Sequence, residues 1–558
     1  MKQVLALILC CIAGWSHAES TGPLTFRRFA IAAVNPLATQ AGVDAFNRGG
    51  NAVDAAIACA LTLGVVDGHN SGIGGGCFIV VRTADGTVTA IDGREMAPAK
   101  AHRDMYVING RLDDEASKTG ALASGVPGAL AAYDRALKKC GKLMLADLLR
   151  PAAALADKGF AIDEVYERKL SATAEKLKKF PESAATLFKA DGSHLKKGDA
   201  LVQKNLAATY RAVADHGIAW FYRGPFAEKT AAWMKENGGI MTAADFASYK
   251  TVEREPIHAK YRGYDLITMP PPSSGGVHVA QILNILEHFP IRDLGSVSRV
   301  HVMTEAMKLA FADRAFWLGD PDFAKVPRGL VDPGYAAELA KKISLDRATD
   351  VPNHNSPPNW EGDIFGKHTT HLSAADAEGN WVALTQTINT AFGSKVMIPG
   401  TGVLLNDQMD DFSVQPGVPN AFKLIGGEAN AVVPGKRPLS SMSPTIILKD
   451  GQPILAIGAA GGPTIITQTL LAITNIIDLG LPPHEALASP RFHHQWRPES
   501  LKIETKIGDE VLGQLEALGH KIDKTTSMGA TQCVSFDPKT GCFTPVHDPR
   551  VPGGSQGL

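Results

Sequence analysis

The sequence has almost no net charge and no excess of basic residues. It carries 56 Lys and Arg residues against 57 Asp and Glu residues, a formal net charge of -1 over 558 residues. Because no surplus of cations is present to neutralise phosphates, the composition argues against a nucleic-acid partner. Apolar residues make up 45% and charged residues 20% of the chain, which excludes intrinsic disorder. These values favour a globular protein that acts on small molecules.

Long apolar runs are also missing: none after residue 18 reaches the roughly 18 residues that a membrane-spanning helix needs. The first 18 residues have the pattern of a signal peptide, with Lys2, an apolar run over Val4–Gly14, and small residues before a cleavage site in Ser16-His17-Ala18. We therefore expect residues 1–18 to be removed and the protein to be exported, to a periplasm or the medium, without a membrane anchor. A buried N-terminal helix and a lipid-modified Cys10 or Cys11 are the alternatives, and Leu9 and Cys10 fit the second poorly.

Cysteine is scarce, with seven residues in the chain. Five lie outside the predicted signal peptide, namely Cys59, Cys77, Cys140, Cys533 and Cys542. Five is an odd number, so at least one is unpaired in a monomer. Cys533 and Cys542 flank a turn over 537–541, so a disulfide across that hairpin is one alternative, which the sequence alone does not establish. No Cys-x-x-Cys motif is present, so a thiolate zinc site has no support.

A glycine-rich segment, Ser71–Gly76, leads into a predicted buried strand over Cys77–Val81. The segment lacks the Gly-Lys-Ser/Thr ending of a phosphate-binding loop, and a strand follows it instead of a helix. It therefore does not fit a nucleotide site. We expect its glycines to allow close backbone packing.

The pattern of elements predicts a layered α/β protein with two unequal parts. Segments predicted as helical, mostly early in the chain, are 39–48, 52–66 with Asn51 as N-cap, 143–158, 164–179, 277–286 and 464–479. The whole region 101–343 reads as mostly helical. An irregular, exposed loop follows over 351–368. Predicted strands after that loop are 368–374, 381–390, 445–448 and 454–458.

The hairpin over 368–390 carries the clearest chemical signal. A turn centred on Glu378 pairs residues whose numbers sum to about 756, which places Thr369 opposite Thr387, with Asn389 on the same face. A plain cross-strand threonine pair is the structural alternative. However, a threonine exposed by cleavage at an exposed loop gains an α-amine with a pKa of about 8, which can act as base for its own hydroxyl. Thr369 is therefore a candidate nucleophile, and Thr387 is a candidate to orient it or to hold its oxygen during turnover.

These residues resemble a known family. The segments Thr369–Ser373, Gly379-Asn380 and Thr385–Gly393 are similar to the signature of the γ-glutamyltranspeptidases, which are self-cleaving N-terminal nucleophile hydrolases. Further blocks in family order are Gly49–Ala56, Arg94–Pro98, Asn406–Phe412, Arg437–Thr445 and Pro490–Trp496. The resemblance covers residues 30 to 550.

The resemblance implies a role for each matching residue. Cleavage between His368 and Thr369 frees the nucleophile, and Arg94 binds the α-carboxylate of a γ-glutamyl donor, a task suited to a guanidinium. A structural ion pair with Asp92 or Glu95 is the alternative for Arg94. Asp411 accepts the donor's α-ammonium, helped by Gln408 and Asn389. Its neighbour Asp410 is expected to face the other way, as adjacent residues do in an extended chain.

The small-residue blocks are assigned in the same way. Ser440 and Ser441 add hydrogen bonds to the donor carboxylate; no Gly-x-Ser-x-Gly elbow supports a serine triad there. Gly461 and Gly462, at the start of a helix, supply the oxyanion hole, with an ordinary glycine turn as the alternative.

Two other features bear on the site. His493-His494 is expected to be packed and hydrogen-bonded, because adjacent histidines rarely ligate one metal, and the family needs neither metal nor cofactor. In the lid loop 416–427, bacterial members commonly have a tyrosine where this chain has Phe422. A phenyl ring cannot hydrogen-bond to Asn389, so we expect the lid to be looser or held by packing alone.

The resemblance thus implies a four-layer αββα sandwich, self-cleaved into a large subunit, 19–368, and a small subunit, 369–558, that form one catalytic unit. The expected enzyme is a transferase and hydrolase: through an ester on Thr369, it moves the γ-glutamyl group of glutathione or other γ-glutamyl amides to water, amino acids or dipeptides. A glutaryl or cephalosporin acylase of the same fold is one alternative, although the presence of Asp411 argues for a γ-glutamyl donor. An inactive, exported binding protein for γ-glutamyl peptides is the other.

Overall fold

The computed structural model describes residues 24–360, 365 and 373–558. Within these residues two β-sheets and a set of helices form the bulk of the protein. No helix in the described part is long and apolar enough to cross a membrane. The predicted signal peptide and the predicted cleavage site at His368 and Thr369 lie outside the described residues.

The first sheet has seven strands and contains the predicted hairpin. Its strands, in spatial order, are Gly554–Gly557, Phe29–Ala33, Ser373–Asp376, Trp381–Thr387, Gly76–Arg82, Val88–Gly93 and Val252–Arg254. Every pairing in this sheet is antiparallel. Strands from before and after position 369 are interleaved in it, because Phe29–Ala33 lies between Gly554–Gly557 and Ser373–Asp376. The sheet therefore does not divide into an early and a late half.

The second sheet has six strands and is also antiparallel. Its strands, in spatial order, are Cys542–Val546, Ala530–Asp537, Gln452–Ala460, Thr445–Lys449, Tyr264–Thr268 and Ile257–Tyr261. Smaller sheets are formed by Phe492–His493, Leu501–Glu504 and Ile522–Thr525, by Val107–Ile108 with Arg111–Leu112, and by Phe160–Ala161 with Ala200–Leu201.

Helices cover the outer faces of both sheets. The α-helices are Pro36–Asn47, Ala52–Val66, Ala129–Cys140, Leu145–Lys158, Glu164–Leu177, Pro181–Leu187, Lys204–His216, Ala219–Tyr222, Pro225–Glu236, Ala243–Ser248, Gly275–Leu286, Ser296–Trp317, Pro333–Ala340, Thr464–Ile477, Pro483–Ala488 and Asp509–Ala517. Short 3₁₀ turns are Ala121–Ala123, Arg328–Val331, Gln408–Asp411, Glu428–Asn430 and Thr505–Ile507.

Three apolar layers hold these elements together. The helices near the start of the chain pack on the outer face of the seven-stranded sheet, and Gly275–Leu286 and Thr464–Ile477 pack on the outer face of the six-stranded sheet. Between the sheets lies a thinner layer that combines alanines such as Ala383 and Ala456 with larger residues such as Trp381 and Ile446. Small side chains bring the two sheets close together. The four-layer αββα sandwich expected from the resemblance is confirmed.

Local sequence signals account for several element boundaries. Asn51 caps the helix Ala52–Val66 as predicted: its side chain accepts from the backbone N–H of Val53 and Asp54, and Asp54 accepts from the N–H of Asn51 in return. The irregular character predicted for 351–368 holds for the described residues of that segment.

The prediction that 101–343 is mostly helical missed a β-hairpin. Ile257–Tyr261 and Tyr264–Thr268 pair with each other and complete the six-stranded sheet. Buried and exposed residues alternate over Ile257–Tyr261, and Gly263 takes a φ of 74° in the connecting turn. The period of two was present in the sequence, but the helical segments around it dominated the interpretation.

The possible disulfide between Cys533 and Cys542 is wrong, although the predicted hairpin is there. Ala530–Asp537 pairs with Cys542–Val546, but Cys533 lies opposite Val546 and Cys542 lies opposite Asp537. The two sulfurs are therefore several residues out of register. All five cysteines in the described part of the chain are free.

Candidate active site

The hairpin that leads into the site has the predicted register. Ala374 pairs with Val382 and Ala375 with Trp381, so the paired numbers sum to 756. On its other side the strand Trp381–Thr387 pairs with Gly76–Arg82, and Thr387 lies opposite Gly76. Thr387 shares its side of the strand with Trp381, which faces the other sheet. The predicted partner of Thr387, Thr369, lies outside the described residues.

The glycine-rich segment packs against the end of this strand. A Cβ on Gly75 would lie 2.0 Å from the carbonyl oxygen of Thr387, and a Cβ on Gly74 would lie 2.0 Å from that of Leu404. No side chain fits at either position. The prediction of close backbone packing is confirmed, and the segment forms one wall beside Thr387.

Asn389 is held in a strained conformation just after the strand. Its φ is 78°, in the left-handed region that is uncommon for residues other than glycine. Its backbone N–H donates to Thr387 Oγ1 at 2.8 Å, and its Nδ2 donates to the carbonyl of Asp407 at 3.0 Å. These bonds fix the side chain between the strand end and the segment that carries Gln408.

Arg94, Gln408 and Asp411 meet in one cluster. The Oδ2 atom of Asp411 accepts from Arg94 Nη2 at 2.5 Å and from Gln408 Nε2 at 2.7 Å. Arg94 is fully buried, and it also donates to the carbonyls of Pro438 and Leu439 at 3.0 and 3.2 Å. A fixed cation beside a fixed anion is complementary to the two charges of an amino-acid head group.

Asp92 and Glu95 were the alternative ion-pair partners proposed for Arg94, and the structure places them differently. Asp92 accepts from Arg254 and Arg437, at 2.7 and 2.8 Å, and its only bond to Arg94 is from the backbone N–H. Glu95 lies 3.6 Å from Arg94 Nη1 and is fully buried. Burial raises the pKa of Glu95 to about 8. Burial therefore favours the neutral form of Glu95, and the closer carboxylate to Arg94 is that of Asp411, at 2.5 Å.

Ser440 and Ser441 lie next to this cluster, on the same segment whose carbonyls bind Arg94. The Ser440 hydroxyl accepts from the N–H of Met442 at 3.1 Å. The Ser441 hydroxyl accepts from Arg314 Nη2 at 3.2 Å. Because both oxygens act as acceptors, each hydroxyl hydrogen is available to donate to a carboxylate.

Gly461 and Gly462 form the turn between the strand Gln452–Ala460 and the helix Thr464–Ile477. Their φ angles are 138° and 60°. A Cβ on Gly462 would lie 2.7 Å from the ring of Phe422. The turn precedes the first residues of the helix, where backbone N–H groups favour negative charge. It also contacts the lid loop through Phe422.

The contacts connect all the described candidates from Thr387 to Gly462 in one region of the sandwich. A family model described as gamma-glutamyltranspeptidase matches residues 38–558. The chain belongs to the γ-glutamyltranspeptidase family. The family expectation of the sequence analysis is confirmed.

Individual relatives agree with this family membership. The chain is 45% identical over 532 residues to the glutathione hydrolase proenzyme of Escherichia coli K12, covering 95% of this chain and 91% of that protein. The crystal structure of cephalosporin acylase from Bacillus halodurans superposes with a TM-score of 0.87 at 29% identity, over 99% of both chains. The γ-glutamyltranspeptidase of Helicobacter pylori superposes with a TM-score of 0.57 at 38% identity, over 60% of this chain and 96% of that one.

The lid loop is held by more than the packing expected from Phe422. The Phe422 ring lies over Gly462, and its carbonyl accepts from Gln495 Nε2 at 3.2 Å. The N–H of Ala421 donates to Asp410 Oδ2 at 2.9 Å, and Ser117 donates to the other oxygen of Asp410 at 2.7 Å. Backbone groups thus anchor the loop without a tyrosine hydroxyl.

Asp410 faces away from Asp411 as predicted, but the expected reason is wrong. Residues 408–411 form a 3₁₀ turn rather than extended chain. In such a turn successive side chains point about 120° apart, which still separates two adjacent carboxylates. Burial raises the pKa of Asp410 to about 6.

The two neighbouring histidines are packed and hydrogen-bonded, as predicted. The ring of His493 bonds to Thr467 and Gln495 at 3.0 and 2.9 Å, and His494 accepts from the N–H of Trp496 at 3.1 Å. Burial lowers the pKa of His493 to about 4. Both rings serve the packing of this corner of the protein.

Another buried cluster has the composition of a metal site. His301, Glu305 and His520 place their polar atoms within 4.8 Å of one another. However, the two rings bond directly at 2.7 Å, the other His301 nitrogen bonds to the Ser344 carbonyl, and Lys308 donates to Glu305 at 2.9 Å. Since each group already has a partner, we interpret the cluster as a hydrogen-bond network that ties the segment after Ser344 to the long helix.

Sequence reasoning missed two residues that shape the site. Asp407 is fully buried and accepts from the N–H of Thr390 at 2.9 Å, which fixes the loop that carries Asn389. Arg314 donates to the Ser441 hydroxyl. The available signal for Arg314 was a charged pair, Asp313-Arg314, inside an otherwise apolar stretch of helix.

Proposed function

We propose that this protein is an exported enzyme that transfers the γ-glutamyl group of glutathione and related γ-glutamyl amides to water, to amino acids or to dipeptides. The observation that carries this proposal is the buried Arg94–Asp411 pair, with Gln408 as a second donor to Asp411. A γ-glutamyl donor carries an α-carboxylate and an α-ammonium on one carbon. Arg94 binds the first and Asp411, with Asn389, binds the second.

The nucleophile in this proposal is the hydroxyl of Thr369, freed by self-cleavage after His368. Its own α-amine removes the hydroxyl proton, and the oxygen attacks the γ-carbonyl carbon. The leaving amine takes a proton, and a γ-glutamyl ester remains on Thr369. Water or the amine of an acceptor then attacks the ester and restores the threonine. The described part of the hairpin has the register on which the pairing of Thr369 with Thr387 was predicted, since Ala374 pairs with Val382. This register supports a role for Thr387 in orienting the nucleophile.

The backbone N–H groups of Gly461 and Gly462 stabilise the oxyanion in this scheme. We predict that Gly462→Ala lowers kcat for a γ-glutamyl anilide by about 10²-fold, because the new methyl group displaces the turn or the Phe422 ring. Gly480→Ala is the matched control: Gly480 has a φ of 66°, and only the end of Arg292 lies near its added Cβ, at 3.8 Å. Equal kcat values for the two variants would remove the glycine turn from the mechanism.

The division into a signal peptide over 1–18, a large subunit over 19–368 and a small subunit over 369–558 belongs to the same proposal. The E. coli relative is named a proenzyme, which supports processing into two chains. The test is to measure the intact masses of the purified protein and to sequence the N-terminus of the smaller fragment. A fragment that starts at Thr369 is the expected result, and an intact chain after long incubation would contradict it.

A glutaryl or cephalosporin acylase is the second candidate, because the Bacillus halodurans cephalosporin acylase is similar over the whole chain. A glutaryl donor lacks the α-ammonium, so it has no use for Asp411. Comparing γ-glutamyl and glutaryl p-nitroanilides separates the two candidates. We expect the γ-glutamyl compound to be much the better donor, and a preference for the glutaryl compound would favour the acylase.

A further inference from the structure

Arg314 is buried in the long helix Ser296–Trp317 and contacts the segment that carries Ser440 and Ser441. Its Nε donates to Ser274 Oγ at 2.9 Å, and its Nη2 donates to Ser441 Oγ at 3.2 Å. Only 5% of the residue is exposed. Both of these acceptors are neutral hydroxyl groups.

The charge of Arg314 is not matched by a close carboxylate. Other buried arginines have one: Arg254 and Arg437 bind Asp92, and Arg491 binds Asp548. Among the described residues no carboxylate oxygen lies within 4 Å of the Arg314 guanidinium. Burial lowers the pKa of Arg314 to about 10, opposed by the charge of Asp411, so the group stays protonated at neutral pH. A buried cation without a close counter-ion is costly.

Arg94 and Arg314 bind the same segment, Pro438–Ser441. Arg94 binds it through the carbonyls of Pro438 and Leu439. Arg314 binds it through Ser441 directly, and through Ser274, whose hydroxyl donates to the Ser440 carbonyl at 2.7 Å. Asp411 is already bonded to Arg94 at 2.5 Å, so Arg314 is left as the guanidinium of this cluster that has no close carboxylate among the described residues.

The hydrogen bond to Ser441 also sets the direction of that hydroxyl. An oxygen that accepts from a guanidinium cannot donate back to it, because arginine has no acceptor. The hydroxyl hydrogen must therefore point elsewhere. A ligand carboxylate placed against Ser441 would accept this hydrogen and supply the missing negative charge.

We propose that Arg314 is a positioning residue that makes the site selective for donors with an α-carboxylate, by orienting the Ser441 hydroxyl and by leaving a positive charge for the ligand to neutralise. The inference rests on the proposed function for the identity of the donor. It requires only the carboxylate, however, and so holds equally for a γ-glutamyl and a glutaryl donor.

The test compares three p-nitroanilides: γ-glutamyl, glutaryl, which lacks the α-amine, and 4-aminobutyryl, which lacks the α-carboxylate. We expect Arg314→Gln to lower kcat/KM for the first two by a similar factor of about tenfold to a hundredfold, mostly through KM. The 4-aminobutyryl compound, measured at high enzyme concentration, should be nearly unaffected. Arg314→Lys, which keeps the charge but not both hydrogen bonds, should give an intermediate loss.

Arg550→Lys is the matched control, because Arg550 is a largely buried arginine paired with Glu504 outside the site. This variant should leave the kcat/KM values of the three anilides in the same proportion to one another. An equal loss for all three anilides in the Arg314 variants would mean a merely structural role and would overturn the inference. An unchanged KM for the carboxylate-bearing donors would overturn it as well. If Arg314→Gln does not accumulate as folded protein, the same comparison of kcat/KM among the three anilides is made with Arg314→Lys.

Failure of the proposed function would look different. If the wild-type protein turns over only the glutaryl compound, the γ-glutamyl assignment fails, but Arg314→Gln must still weaken that donor. If the wild-type protein turns over the 4-aminobutyryl compound as well as the other two, the site does not select a carboxylate, and the role of Arg314 is overturned directly.

Discussion

Thr369→Ala is expected to yield one uncut chain without turnover. The alanine removes both the hydroxyl that attacks during self-cleavage and the nucleophile of the mature enzyme, so processing and catalysis fail together. Loss of a nucleophile costs about four to six orders of magnitude in rate, which brings the activity down to the background level. Electrophoresis and intact mass report the processing, and hydrolysis of a γ-glutamyl anilide reports the turnover.

Thr370→Ala is the neighbouring control, since it deletes a hydroxyl one position away and leaves that of Thr369. It should be cut and active. Thr369→Ser tests the chemistry more finely, because it keeps an N-terminal hydroxyl and should still be processed, if more slowly. Normal cleavage of Thr369→Ala would remove Thr369 from the mechanism and bring back the binding-protein alternative.

Asp411→Asn is expected to reverse the donor preference of the site. The change removes the partner of the α-ammonium and leaves the buried Arg94 without its 2.5 Å counter-charge. Breaking a buried charge pair costs about 2–5 kcal/mol, so kcat/KM for a γ-glutamyl donor should fall by on the order of 10²- to 10³-fold. A glutaryl donor has no ammonium to lose and should bind as well or better, because its carboxylate then pairs with Arg94 alone.

Asp410→Asn controls for this change with the adjacent carboxylate. Asp410 bonds to Ser117 and to the N–H of Ala421, so its loss loosens the lid and should affect both donors alike, without a change in their ratio. A preserved ratio of γ-glutamyl to glutaryl turnover in Asp411→Asn would mean that Asp411 does not contact the ammonium.

Parts of the fold and of the site followed from local signals that act over a few residues. The Asn51 cap, the hairpin register that sums to 756 and the close packing of the glycine-rich segment each depend on neighbours in sequence or on an absent side chain. Such signals survive in the folded protein because tertiary contacts add to them rather than oppose them.

Other features depend on partners far away along the chain, which a single sequence does not reveal. Asp92 is bound by Arg254 and Arg437, and Ser441 by Arg314, across separations of more than one hundred residues. Cys533 and Cys542 suggested a disulfide, but register placed Val546 opposite Cys533. The predicted direction of the Asp410 side chain was right for another reason, because the sequence pattern did not reveal the 3₁₀ turn over 408–411.

The interleaving of strands from before and after position 369 in the seven-stranded sheet affects how the enzyme folds and how it loses its fold. Phe29–Ala33 lies between Gly554–Gly557 and Ser373–Asp376, so a cut at 369 leaves two chains woven into a single sheet. The uncut precursor refolds as one molecule, at a rate independent of its concentration. After the cut, refolding requires two chains to meet, so its rate and the apparent stability depend on concentration by mass action. Once the chain is cut, the lifetime of the enzyme therefore depends on how slowly it unfolds rather than on how readily it refolds.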